Sequence, residues 1–511
     1  KMILLYLPQP DEHTAVPVIN SEAAKKVIGA CLLHVTGANL AGLRVHAPSQ
    51  GLVGEPFALL VRGEDRYRNV ACERPGELVL CVNGAVIEGW RRRDLPDAAC
   101  VWIEGLELEG TGVVRLEVED KAKGLAAWSN PIRCTAAESP VKHYWGMIHA
   151  HTEHSDGIAT VDHYFTYLRE HNALDFGALA DHDHLYETSE AMWARAQEAT
   201  RRYHEPGRFV TFLGYEWAKW RQNGDGDRNV YYLEDDRPMF RSDDGEYPTP
   251  GALFAALRSE IALVVPHHPA NRGNHCDWKD SDPQIERLVE IFSEWGSSEC
   301  SVNDGNPYAM KTLAETPEQL DSGEVAAGFV QTALALGRRI GFTAGGDDHQ
   351  GHPGDLTLRP GSPPRASGLM AVRATTRTRE AIWKALHDRH CYGTTGARII
   401  VDFAVDGAPM GSELWLDEQP ALAQGRTLEV AAHGTADFAK IEIVRNNQVV
   451  HTHCPAAPDA SFAWEDTLPF EAIALPPALH WPTPFCFYYL RLTQTDGEMA
   501  WVSPVWVSAK P

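Results

Sequence analysis

The sequence has no run of 18 or more apolar residues, so no segment has the length of a membrane-spanning helix. Its cysteines, at positions 31, 72, 81, 100, 134, 276, 300, 391, 454 and 486, form neither a CxxC pair nor a dense framework. That excludes a disulfide scaffold and a zinc ribbon, and fits reduced, mostly buried thiols. Positive charge is scarce: 46 Lys+Arg stand against 70 Asp+Glu, a formal charge of −24. Such a field repels polyphosphates and anionic headgroups, so neither nucleic acid nor a membrane is an expected partner. No GxSxG elbow surrounds Ser155 or any cysteine, which argues against a Ser or Cys nucleophile. Gly224-Asp225-Gly226 is acidic, lacks the lysine and is no phosphate loop. The apolar stretch within residues 1–8 is too short for a signal core, and the chain reads as cytoplasmic.

What is present is ordinary globular composition, 44% apolar and 23% charged, in a length that suits three domains. Residues 1–140 carry short alternating runs such as Phe57-Ala58-Leu59-Leu60-Val61, the texture of a β-rich domain. From 141 to 400 apolar strands alternate with helical stretches, which predicts a parallel sheet closed into a barrel. Residues 401–511 return to β texture, with Ile441–Val444 and Phe487–Leu492 as strands of a second sandwich.

Histidine is concentrated where chemistry is expected. Residues 143–184 hold eight of the 23 histidines, against about two for an even spread. His149 and His151 end the first strand of the central region, and alternation on a strand points both the same way. Asp156 follows, then Asp181-His182-Asp183-His184, Glu216, His267-His268 and Asp347-Asp348-His349, each at a strand end. C-terminal ends of successive parallel strands converge, so these side chains can meet. Imidazole and carboxylate without thiolate suit Mn, Fe or Zn in an open catalytic site. There are more donors than one ion can use, which implies a multinuclear centre. Asp183 and Asp348 read as carboxylates that orient histidines, and His267 as either a ligand or a supporting imidazole.

The ordered motifs HxHT…SDG (149–157), ADHD (180–183), GYE (214–216), HHP (267–269) and GGDDH (345–349) resemble those of the PHP superfamily, named for polymerase and histidinol phosphatase domains. Within it the chain is similar to large metallohydrolases flanked by β domains, a branch that residues 391–399 also resemble. The resemblance implies a distorted (β/α)7 barrel, flanked here by N-terminal and C-terminal β-sandwich domains, holding two or three divalent ions. By it His149, His151, Glu216 and Asp347 hold a first metal, with Glu216 bridging to a second that His268 also binds. Asp156, His182 and His349 hold the third. Asn229 stands where the pattern often has another His; Glu290 matches a further acidic position, and which of Glu290, Glu294 and Glu299 reaches a metal is left open.

These readings lead to a metal-dependent hydrolase of a small-molecule substrate, in which a water between two cations attacks as hydroxide. His184, His267 or His352 would protonate the leaving group, and Arg398, Arg272 or Lys219 would stabilise an anion. A phosphomonoester or diester ranks first. An aryl ester, amide or carbamate is the alternative, and an idle barrel presenting β domains to a glycan or protein is a third. Trp145, Trp217, Trp220, Trp278 and Trp295 fall on rim segments, where packing is favoured over substrate stacking. Homo-oligomerisation is left open.

Overall fold

The computed structural model describes residues 2–6, 30–34, 37–96, 98–219, 224–280, 282–308, 310, 323–355 and 367–511. Trp220, one of the rim tryptophans, lies outside them. β-Structure dominates, with 40% strand and 14% helix. Among the described residues no helix is long and apolar enough to cross a membrane.

Residues 42–135 form three sheets of four, four and three strands around their own core of Val45, Leu59, Val61, Leu80, Ile103, Leu116 and Ile132. The central region then begins with three parallel strands, Lys142–Met147, Phe176–Ala178 and Val210–Trp217. Helices Val161–Thr166 and Glu190–Tyr203 make the crossovers. The second starts at Ser189, whose side chain accepts from Met192 N, and buries Trp193, Ala196, Ala199 and Thr200. That is a three-to-four residue spacing, so one face of the helix packs inward. The Val210–Trp217 strand is buried along its whole length, as its near-continuous apolar run requires of a strand covered on both faces.

The expected (β/α)7 barrel is not what the chain builds. After Val210–Trp217 the next neighbour is the antiparallel strand Arg228–Tyr232, followed by the antiparallel Ala262–Pro266. On the other side Lys142–Met147 pairs antiparallel with Leu369–Ala374, and that with Cys391–Thr394. Leu288–Ser293 and Gly341–Ala344 pair in a separate small sheet. The hydrogen-bonded strands therefore do not close among the described residues. The cause is local: short antiparallel returns occupy edges that a βα barrel would fill with parallel strands. The sheet instead runs on past residue 400, because Cys391–Thr394 pairs with Met499–Ser508 and reaches Phe485–Gln494, Phe438–Arg445 and Gln448–His453.

Two antiparallel steps restore direction. Ala262–Pro266 thus points the same way as the first three strands, and their C-terminal ends share one rim.

Candidate metal centre

The rim is laced by backbone hydrogen bonds. Asp347 N donates to His149 O, His151 N to Asp348 O, Glu216 N to Asp181 O, Asp183 N to Glu216 O and His267 N to Asp227 O. Segments distant in sequence are thereby held side by side, with their side chains buried between them. His268 and Asp347 carry φ of 32° and 51°, left-handed values for non-glycine residues, each costing about 1–3 kcal/mol that the surrounding structure must offset.

Four donors face one another. His151 Nε2 lies 3.1 Å from Asp347 Oδ1 and 3.5 Å from Glu216 Oε2. His149 Nε2 lies 3.5 Å from Glu216 Oε2 and 3.6 Å from Asp347 Oδ1. Ligands about 2.1 Å from a common ion stand roughly 3.0–3.4 Å apart in octahedral or tetrahedral arrays, so these separations lie at or a few tenths of an ångström above those of a coordination shell. Two further groups adjoin it. Asp156 Oδ1 lies 3.2 Å from His349 Nε2 and 3.7 Å from His182 Nδ1, while His182 Nε2 is 3.6 Å from Glu216 Oε1. His267 Nε2 is 3.4 Å from Glu216 Oε2, and Asp227, His267 and His268 gather beyond it. Glu216 therefore spends one oxygen on each side of the cluster.

Supporting contacts set the orientations. Glu290 receives His149 Nδ1 at 3.0 and 3.1 Å, which turns Nε2 toward the cluster. Trp295 Nε1 donates to Asp347 Oδ2 at 2.5 Å, and His151 Nδ1 meets Ser155 Oγ at 3.3 Å. Gly345 is required here, since a Cβ would come within 2.0 Å of Glu290 Oε2 and 2.8 Å of His149 Cβ.

Electrostatics shows the same crowding. Burial would depress His149, but Glu290 and Asp347 hold its pKa well above the ordinary value. Burial alone would raise Glu216 and Asp347, yet the surrounding imidazoles hold both well below the carboxylate range. Burial lowers His268 to about 3, aided by His267, whereas burial and the Glu216 charge push Asp227 up to about 6. Such opposed shifts within one cluster are typical of functional sites. The donor set is hard and borderline, free of thiolate, and His267 Nδ1 and His268 Nδ1 are buried without a hydrogen bond. It fits divalent cations such as Mn, Zn or Fe.

The chain matches the model of a family described as "Protein of unknown function (DUF3604)" over residues 133–306 and 347–425. All the donors named above fall inside those two segments. Uncharacterised proteins of Chlamydia pneumoniae and Chlamydia trachomatis are 28% and 29% identical over 93% of this chain and 75% of their own lengths. An uncharacterised Chlamydia muridarum protein is 29% identical over the same shares. Among solved structures the Lin-41 filamin domain aligns with 20% of this chain at 9% identity and a TM-score of 0.17, which carries no argument.

All eight sequence-chosen ligands, His149, His151, Asp156, His182, Glu216, His268, Asp347 and His349, meet at the rim. Their grouping differs from the expected one. His267, weighed as a ligand, a supporting imidazole or a proton donor, stands among the donors beside Glu216, and His268 is turned toward Asp227 and Asp347 at 3.9 Å. Asp227 was missed; it precedes an antiparallel strand whose beginning, rather than its end, lies at this rim. Asn229 pairs in register with Glu216, and its buried amide makes no hydrogen bond of ordinary geometry. Of the acidic candidates Glu290 supports His149, whereas Glu299 is taken by Tyr489, Arg491 and Trp501.

His184 stands beside the cluster, its ring 6.3 Å from that of His182 and its Nδ1 3.2 Å from Glu187 Oε2. Glu187, also missed, contacts His182 as well. Asp183 receives Ser242 and Ala218 and also lies 4.0 Å from His184 Nε2, and Asp348 receives the Gln350 and His352 amides, shaping the loop that presents His349. His352 stacks on Tyr167, Lys219 donates to Pro248 O, and Arg272 N donates to Gly323 O. Arg398 points elsewhere, donating to the carbonyls of Asn172 and Ala173. Trp145 donates to Ser49 and Trp217 to Tyr247 O, packing roles for both, and Trp278 lies under Arg338.

Proposed function

We propose that this chain is a divalent-metal-dependent hydrolase acting first on phosphoesters of small molecules. The observation that carries the reading is that His149 and His151 each lie 3.1–3.6 Å from both Glu216 and Asp347, with two adjoining donor groups at the same rim. The ordered motifs that resemble the PHP superfamily support the same chemistry. Bound there, divalent ions would lower the pKa of a water and polarise the electrophile. The protein's part is to hold the donors in register: Glu290 fixes the His149 ring, Trp295 fixes Asp347, and Glu187 bridges His182 and His184. His184 is assigned to protonate the departing oxygen, since it adjoins the donors without being grouped with them.

Asp156 and His349 are the more exposed donors, at 34% and 20%, so substrate enters from their side. Ile158, Leu185 and Tyr186 are exposed on neighbouring segments, and Tyr186 stacks on His184 at 5.3 Å. That apolar rim favours a second reading, an aryl or other apolar ester, amide or carbamate. The free thiols among the described residues support a reducing, cytoplasmic setting.

The test is metal analysis of the purified chain, then assays with p-nitrophenyl phosphate, bis-p-nitrophenyl phosphate and p-nitrophenyl acetate, with and without added Mn. Turnover of a phosphate ester, abolished by chelation and restored by Mn, is expected. Hydrolysis of the acetate alone would move the assignment to the second reading. Less than about half an equivalent of metal, with no turnover, would overturn both.

A further inference from the structure

Between the N-terminal β region and the central region lies a cavity of about 620 Å³. One wall comes from His46, Ala47, Pro48, Ala58, Arg93 and Trp102. The other holds Trp145, Arg169, Arg208, Arg377 and Arg398. Five guanidiniums thus line it, against two lining carboxylates, Glu104 and Asp175, in a chain whose net charge is −24. The two acids are already engaged: Glu104 by Arg93 at 2.7 Å and Asp175 by Arg377 at 3.0 Å. Arg169 and Arg208 share Glu170.

Arg398 differs from the rest. It is 5% exposed, and among the described residues no carboxylate lies within ion-pair distance and the carbonyls of Asn172 and Ala173 receive it. Its Nε is buried without a hydrogen bond, and so are Arg377 Nε, His46 Nε2 and Trp102 Nε1. Buried donors are almost always satisfied, and a buried guanidinium without an acid is costlier still. Five guanidiniums around one cavity, with Arg398 lacking an acid of its own, point to a partner that is anionic and accepts hydrogen bonds. The space is well beyond what a bare tetrahedral anion fills and falls in the range of small-molecule sites. Trp102 and Trp145, with Ala47, Pro48 and Leu174, supply apolar walls for the rest of the ligand.

We infer that this cleft is a second binding site, separate from the metal centre, for a small organic phosphate whose anionic end rests on Arg398, with an apolar portion against the tryptophan-lined wall. Arg377 completes the anion seat. Because its walls come from both regions, the bound molecule holds the N-terminal β region against the central one.

The experiment is calorimetric titration of the full chain with phenylphosphonate and, separately, inorganic phosphate, in wild type and in an Asp347→Ala background that disables the metal centre. Saturable binding of about one equivalent of phenylphosphonate is expected in the Asp347→Ala protein, tighter than inorganic phosphate by about fivefold or more, and the same event is expected in wild type beside binding at the metal centre. Arg398→Gln should weaken it at least tenfold. Should that variant misfold, Arg377→Gln and Arg93→Gln, both on partly exposed side chains, should each weaken it about threefold or more. No binding in the Asp347→Ala protein, or unchanged affinity in every folded arginine variant, overturns the site. Equal affinity for the two probes overturns the organic ligand in favour of the free anion. Loss of hydrolase activity in Asp347→Ala with binding intact separates this inference from the proposed reaction.

Discussion

The metal centre and the interdomain cleft are built from opposite halves of the same chemistry. At the rim, lone pairs of imidazoles and carboxylates converge with too few protein donors to satisfy them. In the cleft, N–H groups converge with too few acids. A third region completes the comparison: Arg62, also fully buried, is ringed by Glu64 at 2.5 Å, Asp355 at 2.7 and 3.0 Å and Asn172 Oδ1 at 2.6 Å. Two carboxylates neutralise it, although its Nε is without a hydrogen bond, and its role is structural. The difference teaches that a buried charge by itself says little; whether its partners are protein atoms separates scaffold from site.

The sharpest break of the comparison is at the rim. Asp347→Ala is expected to lower turnover by about 10³-fold or more and reduce bound metal, with circular dichroism unchanged. Wild-type turnover in a folded variant would remove the site assignment. Next comes Arg62→Met, which removes the buried cation and leaves Glu64 and Asp355 with Arg44 alone, at 2.6 and 4.0 Å. A loss of about 3–5 kcal/mol in urea unfolding is expected; a change below about 1 kcal/mol would mean that Arg62 is no more structural than Arg398.

Smaller in effect, Glu290→Gln keeps the shape but weakens the acceptor that holds His149. Metal affinity should fall about 10- to 100-fold in competition with a chelating dye, and Gly345→Ala should act in the same direction by displacing Glu290.

The smallest effect is read in acid. Burial would raise Asp355, but Arg62 and Arg44 outweigh it and hold its pKa low. A carboxyl depressed in the folded state contributes stability above its unfolded value, about 3.9, and loses it as pH falls through the folded one. The stability gap between wild type and Asp355→Asn should therefore narrow between about pH 4 and pH 2, and a gap that widened there would contradict the ion pair.

His149 and His151 were legible because side-chain alternation at a strand end is a local property. The same holds for Ser189 as the cap of Glu190–Tyr203, whose burial period can be read from the letters alone. Asp227 and the role of His267 were not legible. Each depends on Arg228–Tyr232 returning antiparallel, so that its first residue rather than its last reaches the rim. His268, at positive φ, is turned from the direction that alternation would give it. Arg398 follows a strand of the central region, as a rim residue would, yet the chain carries it to Asn172 and the N-terminal region.

What the sequence determined by itself was the inventory and its local spacing: an acidic, thiol-poor set of imidazoles and carboxylates set at the ends of apolar strands. Tertiary structure alone decided that, among the described residues, the strands stay open rather than close into a barrel, which oxygen of Glu216 faces which histidine, and that an arginine from the central region lines one cavity with a histidine from the N-terminal one. The reason is that strand direction and domain contact are settled by hydrogen bonding and burial between segments far apart in the chain, and no residue's own neighbours in sequence carry that information.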